Sequence, residues 1–228
     1  ADTVGIALAR DVGEEQFERY FLGQTHFSMR DGRLHVTRDG GRTWDNITPK
    51  DLPEFARISL IEASPHQNGV AYLAGNRYQQ GDKQPLLFKT TDYGRTWTKI
   101  VNGIAPDHFL RVVREDPSRP GLLYAGTELG IYVSFNDGTN WIPLQTDLPH
   151  APVYWLTIQE HFNDLVVATY GRGFYILDDY TPLRQASEQA LKEEILFPVR
   201  DALLYIEKSS REVSRGHGFF TAPNPPYG

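Results

Sequence analysis

One eight-residue turn recurs three times along the chain, and this repeat constrains the fold more than any other feature. The first two copies share the pattern Thr-x-Asp-x-Gly-x-Thr-Trp, and the third keeps the Gly and the Trp while Ser and Asn replace the first Thr and the Asp. We call these segments the repeat turns. Their defining residues are Thr37, Asp39, Gly41, Thr43 and Trp44; Thr90, Asp92, Gly94, Thr96 and Trp97; and Ser134, Asn136, Gly138 and Trp141.

Short apolar runs bounded by Gly, Pro and Asp lie before the second and third repeat turns, and such runs are strand signals. In both places a strand, a turn and a second strand come first, as in Arg57–Pro65 followed by Gly69–Gly75. The first copy is degenerate, with strand candidates at Thr3–Ala9 and Arg19–Gly23. Each unit therefore reads as four short strands, with the repeat turn joining the third strand to the fourth.

Units of this kind at a spacing of roughly 40–50 residues are typical of propeller blades. We predict an all-β fold, a β-propeller of four-stranded antiparallel blades. About four blades fit in the chain, as a closed small ring or as an arc of a larger ring. A C-terminal extension, rich in Gly and Pro and partly irregular, is expected over residues 185–228. The propeller is assigned to residues 1–184, with blades at about 1–50, 51–104, 105–149 and 150–184.

Composition excludes several functional classes. The net charge of −6 over 228 residues comes from mixed signs without a basic face, which argues against nucleic-acid binding. The chain has no Cys, and its seven histidines show no pair at metal-ligand spacing, so we predict neither a metal site nor a cofactor. No apolar run approaches the ~20 residues of a membrane-spanning helix.

The residues of the repeat turns are expected to be structural. The Asp carboxylate accepts hydrogen bonds from backbone N–H groups within the turn, and the Thr hydroxyl ties the turn to its neighbours. The Trp ring is expected to bury itself between adjacent blades. Asn136 can still cap the third turn, although more weakly. We therefore look for functional residues on the face of the blades that lies opposite the repeat turns.

Ligand-binding candidates on that opposite face lie near the starts of the inner strands and beside the turns between second and third strands. Ser59, Arg111 and Trp155 are placed in register with one another at the strand starts, and Tyr170 and Arg172 beside a turn. An aromatic ring next to arginine and carboxylates suits a carbohydrate or a peptide ligand. The alternative is that these are ordinary residues of a propeller rim.

Asp31 and Glu128 are candidates for catalytic carboxylates at the same face. A glycoside hydrolase needs two carboxyl groups across the scissile bond, roughly 5–10 Å apart. Nothing in the spacing shows that two of them converge, so whether the chain is an enzyme stays open.

The repeat turns resemble those of BNR or Asp-box repeat proteins, a group that includes sialidases, xyloglucanases and sortilins. The segment Leu148–Leu183 is similar to the C-terminal part of the propeller in bacterial sortilin-like proteins often labelled glycosyl hydrolases, and Asn224–Gly228 resembles the segment immediately after that propeller. A sialidase would carry Arg-Ile-Pro where this chain has Arg57-Ile58-Ser59, which argues against that activity.

The resemblance implies an extracellular or periplasmic module that binds a carbohydrate or peptide. A xyloglucanase-like glycoside hydrolase is one alternative. A scaffold propeller that docks onto another propeller segment or subunit is the other. Family members are usually longer than this chain.

Overall fold

The computed structural model of the chain describes residues 5–7, 26–30, 33–144, 147–187 and 196–198. The described part is almost entirely β-structure, arranged as four sheets that follow one another along the chain. It contains one short α-helix, α1 (Thr181–Gln185), and one 3₁₀ turn, Tyr78–Gln80. The predicted all-β propeller fold is confirmed.

Strand order within each sheet follows chain order. The first sheet contains β1 (Gly5–Ala7), β2 (His26–Arg30), β3 (Arg33–Thr37) and β4 (Asp45–Asn46). The second contains β5 (Arg57–Ala63), β6 (Ala71–Arg77), β7 (Asp82–Thr90) and β8 (Thr98–Lys99). The third contains β9 (Leu110–Glu115), β10 (Leu123–Thr127), β11 (Gly130–Ser134) and β12 (Ile142–Pro143). The fourth contains β13 (Val153–Gln159), β14 (Asp164–Thr169) and β15 (Phe174–Leu177).

Two features of the sheets differ from the expectation of four antiparallel strands in every blade. In the first sheet β1 pairs parallel with β2, whereas the other described strand pairs are antiparallel. The second strand of this sheet is His26–Arg30, and the strand candidate Arg19–Gly23 lies outside the described residues. The fourth sheet has three strands among the described residues, and α1 follows the third.

The repeat turns connect the third and fourth strands of the first three sheets, and the first turn is held by its own side chains. Asp39 Oδ1 accepts the Thr43 backbone N–H at 2.9 Å, and Asp39 Oδ2 accepts the Thr43 hydroxyl at 2.7 Å. Thr37 Oγ1 accepts the Gly41 N–H at 2.8 Å and donates to Asp39 Oδ1 at 2.8 Å. The carboxylate is therefore occupied in closing the turn.

The second and third turns repeat this geometry. Asp92 accepts the backbone N–H and the hydroxyl of Thr96 at 2.9 and 2.7 Å. In the third turn Asn136 Oδ1 accepts the Asn140 N–H at 2.9 Å and the Ser134 hydroxyl at 3.0 Å. The amide oxygen thus takes the place of one carboxylate oxygen.

Tryptophans of the repeat turns connect neighbouring sheets. The indole N–H of Trp97 donates to the carbonyl of Ile47, beyond the end of the first sheet, at 2.7 Å. Trp141 makes the same bond to Ile100 at 2.8 Å and is 2% exposed. Trp44 is 44% exposed. Trp97 and Trp141 both lie on the side of their sheet that faces the preceding sheet. The equivalent position of Trp44 is therefore on the side of the first sheet that faces away from the second.

The two faces of the fourth sheet differ in burial. Leu156, Leu165 and Val167 are buried toward the third sheet, whereas Phe174 and Ile176 are 78% and 59% exposed.

No helix among the described residues is long and apolar enough to cross a membrane.

The helix α1 is fastened to the loop after β9 by a buried ion pair. Asp116 is fully buried, and both of its carboxylate oxygens accept the Arg184 Nε–H at 3.0 Å. Arg119 Nη1 donates to the carbonyls of Leu183 and Ala186 at 2.9 and 2.7 Å. These contacts belong to the unit Ala1–Leu196, which is separate from a second unit, Phe197–Gly228.

Candidate functional site

Three neighbouring inner strands each carry a β-bulge near their start. Pairing between β5 and β6, between β9 and β10, and between β13 and β14 shifts by one residue at this place. A bulge leaves one residue unpaired and changes the direction of its side chain, and bulges are frequent beside functional sites. The unpaired residues are Ser59 in β5, Arg111 in β9 and Tyr154 in β13.

The bulge in β13 corrects the register expected from the sequence. Tyr154, not Trp155, is the residue equivalent to Ser59 and Arg111. Trp155 instead pairs with Ala168, and its ring lies 4.7 Å from the guanidinium carbon of Arg114.

The Arg111 side chain is the centre of the site. Its Nε and Nη2 atoms both donate to Glu128 Oε2, at 2.9 and 2.6 Å. Its guanidinium carbon lies 4.0 Å from the centre of the Tyr154 ring, 5.0 Å from that of Phe109 and 5.3 Å from that of Tyr78. Stacking on rings and an ion pair together fix the plane of the guanidinium group.

Two exposed rings extend this site toward solvent. Tyr154 and Tyr170 stack with ring centres 5.3 Å apart, and they are 42% and 69% exposed. The Tyr170 N–H donates to the carbonyl of Pro152 at 2.9 Å, which ties the turn after β14 to the segment before β13. We refer to the whole group as the aromatic–arginine cluster. It comprises Tyr78, Phe109, Arg111, Glu128, Tyr154 and Tyr170.

The other residues singled out from the sequence lie in different surroundings. Ser59 is half-buried, and its hydroxyl accepts the Asn76 side-chain N–H at 2.7 Å. Arg172 is exposed and forms no hydrogen bond or ion pair with another described residue. Asp31 lies outside the described residues.

Sequence reasoning identified Arg111, Glu128 and Tyr170 but missed Tyr78, Phe109 and Tyr154. Each missed aromatic residue lies at the start of an inner strand or just after a second strand, as the identified residues do. A search for aromatic residues at all of these positions would have found them.

The cluster combines several aromatic rings with one ion pair. Glu128 is its single carboxylate, and that group is paired with Arg111. No group of three or more His, Asp or Glu residues in the described part of the chain is placed to hold a metal ion. Flat aromatic faces and a fixed guanidinium group can bind a ligand by stacking and by directed hydrogen bonds.

No family model matches this chain. It is 26% identical over 116 residues to the uncharacterized protein YCR100C of Saccharomyces cerevisiae, which covers 50% of this chain and 34% of that protein. It is 34% identical over 77 residues to vacuolar protein sorting/targeting protein 10 of Colletotrichum graminicola, which covers 34% of this chain and 4% of that protein. The chain thus matches about a third or less of the length of these relatives.

Solved structures with a similar fold include an ancestral GH74 enzyme, with a TM-score of 0.53 and 12% identity over 68% of this chain and 21% of that chain. Another is the extracellular domain of the putative one component system BT4673 from B. thetaiotaomicron. Its TM-score is 0.50 and its identity 15%, over 73% of this chain and 22% of that chain. At such identities these likenesses show the fold alone.

Proposed function

We propose that the chain is a BNR/Asp-box propeller module of a sortilin-like protein and binds a carbohydrate or peptide at the aromatic–arginine cluster. One observation carries this proposal. Bulges in two neighbouring inner strands bring Arg111 to 4.0 Å from the Tyr154 ring, beside the exposed ring of Tyr170.

The cluster offers the two kinds of contact that such ligands use. A sugar ring or a flat peptide side chain stacks on the exposed faces of Tyr154 and Tyr170. Glu128 holds Arg111 through Nε and Nη2, and Nη1 has no hydrogen bond to another described residue. That nitrogen can donate to a hydroxyl or carbonyl oxygen of the ligand. Ser59, Trp155 and Arg172 are proposed as flanking contacts.

The similarity over 77 residues to a vacuolar sorting protein supports the sortilin-like part of this proposal. The geometry of the repeat turns supports the BNR/Asp-box part. An extracellular or periplasmic location, and a further propeller segment or subunit as partner, belong to the same proposal.

A xyloglucanase-like hydrolase is the competing function, but no observation favours it. Hydrolysis of a glycosidic bond requires two carboxyl groups. The cluster supplies only Glu128, and Asp31 lies outside the described residues. The likeness to a GH74 enzyme at 12% identity concerns the fold.

Screening on a glycan array and a peptide library tests the proposal, with the unaltered chain and Tyr170→Ala side by side. We expect a specific ligand whose signal falls in Tyr170→Ala, because that ring supplies exposed stacking area. Phe162→Ala is the matched control, since Phe162 is 52% exposed but lies in the turn at the other end of β13. Equal signals from the unaltered chain and Tyr170→Ala would contradict the proposed site.

Release of reducing sugar from a panel of β-glucans tests the competing function. A binding module releases none. Turnover by the unaltered chain that disappears in Glu128→Ala or Asp31→Ala would show a hydrolase instead.

A further inference from the structure

The fourth sheet has an exposed apolar surface on the side that points away from the third sheet. Its residues follow from the register, in which Trp155 pairs with Ala168 and Ala168 with Phe174 as one row across the sheet. The next row on the same side joins Val166 to Ile176. Trp155, Phe174 and Ile176 are exposed, and Val166 and Ala168 are half-buried. We call these five residues the outer apolar face.

The equivalent rows of the second and third sheets are buried. By register, these rows are Leu60, Ala74 and Leu87 in the second sheet and Val112, Gly126 and Ile131 in the third. Their side chains are at most 4% exposed, because the following sheet covers them. A Cβ added at Gly126 would lie only 2.6 Å from Val153 Cγ1 of β13. The outer apolar face therefore repeats a surface that is covered by a neighbouring sheet wherever the described chain supplies one.

The edge of the fourth sheet is also unprotected. Among the described residues β15 is the last strand of this sheet, so one of its edges has no partner strand there. Its four residues, Phe174–Leu177, include neither a charged residue nor a proline, which are the features that keep exposed edges from pairing. An apolar face beside an uncharged edge marks a surface for contact with another protein surface.

The first sheet carries the complementary half of such a contact. In the second and third sheets Trp97 and Trp141 face the preceding sheet and donate their indole N–H to carbonyl groups just beyond its last strand. Trp44 occupies the same position in the first sheet and is exposed. Its indole N–H has no hydrogen-bond partner among the residues that the structure describes. One chain therefore presents both halves of the contact that joins its own neighbouring sheets.

We propose that the outer apolar face binds a second copy of this chain head to tail, with the first sheet of one copy on the fourth sheet of the other. The contact rests on the proposed function, in which a further propeller segment or subunit is the partner, and it makes that partner a second copy. Within one copy the two halves do not cover each other, since Trp44 and Phe174 are both exposed. Two copies of four sheets make eight, within the range of about 4–8 blades in closed propellers. The contact therefore forms twice and closes a ring of two chains.

Sedimentation velocity of the full chain over a wide range of concentrations tests this contact. We expect a reversible rise from the mass of one chain to that of two and no further. Ile176→Asp should weaken association at least tenfold, because the contact would bury a charge without a partner. Trp44→Asp should weaken it as well, because a head-to-tail contact uses both halves. Phe162→Asp is the matched control, an exposed change in the turn between β13 and β14 that lies outside both halves.

The mass of a single chain at every concentration would overturn the proposal, and so would growth beyond two chains. Unchanged association in a folded Ile176→Asp would overturn it too. Loss of association in Ile176→Asp but not in Trp44→Asp would show two fourth sheets in contact with each other, which contradicts the head-to-tail arrangement. Circular dichroism checks that each variant is folded. These outcomes do not depend on the ligand of the aromatic–arginine cluster, so the contact and the ligand site can fail separately.

Discussion

The carboxylates of the repeat turns are stronger acids than free aspartate. Hydrogen bonds, chiefly from the Thr43 backbone N–H, lower the pKa of Asp39 to about 2. For Asp92, burial opposes the shift, but the bonds from Thr96 and Thr90 outweigh it and lower the pKa. A depressed pKa in the folded state means that these groups stabilise the fold above their unfolded pKa and lose this contribution as the pH falls.

We therefore predict acid sensitivity between pH ~4 and pH ~2 that depends on the repeat turns. The thermal midpoint, followed by circular dichroism, should fall more steeply in the unaltered chain than in an Asp39→Asn, Asp92→Asn double variant. Asp51→Asn, an exposed change outside the turns, is the control. Parallel curves for the chain and the double variant would contradict a stabilising role of the ionised carboxylates.

The three tryptophans of the repeat turns occupy equivalent positions but differ in burial, so their removal should differ in cost. Trp141→Ala should lower the free energy of unfolding by ~3–5 kcal/mol, because a large ring and an indole hydrogen bond are lost. Trp44→Ala should cost below ~1 kcal/mol, because the ring is 44% exposed. Urea denaturation measures both values. Similar losses for the two variants would contradict the different environments.

Among the elements, α1 depends on one buried ion pair. Removing Arg184 leaves Asp116 with the N–H groups of Ser118 and Arg119 and the Tyr180 hydroxyl as donors, but without its charged partner. Arg184→Ala should therefore lower the free energy of unfolding by ~3–5 kcal/mol. Arg172→Ala, an exposed arginine without a described partner, should change it by less than ~0.5 kcal/mol. A loss below ~1 kcal/mol for Arg184→Ala would show that α1 is not held in this way.

The repeat turns could be predicted from sequence because each is specified within eight consecutive residues. Thr37, Asp39 and Gly41 determine their turn through contacts with one another, and the Trp follows at a fixed position. The sequence pattern did not single out His26–Arg30 as a strand, because only two of its five residues are apolar. The observed strand pairs Phe27 with Val36, a contact with a later strand that local pattern does not reveal.

The aromatic–arginine cluster could be predicted only in part, because it is assembled by the whole molecule. Tyr78 comes from the second sheet, Arg111 from the third and Tyr154 from the fourth, and no local pattern links them. A bulge shifts the alternation of side chains in β13 by one residue. Aligning the strand starts by sequence therefore identifies Trp155, whereas Tyr154 occupies the equivalent position in the structure. Their convergence depends on the stacking of neighbouring sheets.

The same assembly gives the molecule two unlike ends. Starts of the inner strands present exposed rings around a neutralised arginine, whereas their far ends present glutamates in excess over one arginine. A ligand with flat apolar faces and neutral polar groups suits the first end.

Calorimetric titration of the best ligand from the screen against the unaltered chain, Tyr154→Ala and Phe162→Ala tests the central claim most directly. Stacking on an aromatic ring contributes about 0.5–1.5 kcal/mol beyond its buried area, so Tyr154→Ala should bind about 2-fold to 12-fold more weakly. Phe162→Ala should bind like the unaltered chain. Equal affinity in a folded Tyr154→Ala would contradict the claim that this cluster is the binding site.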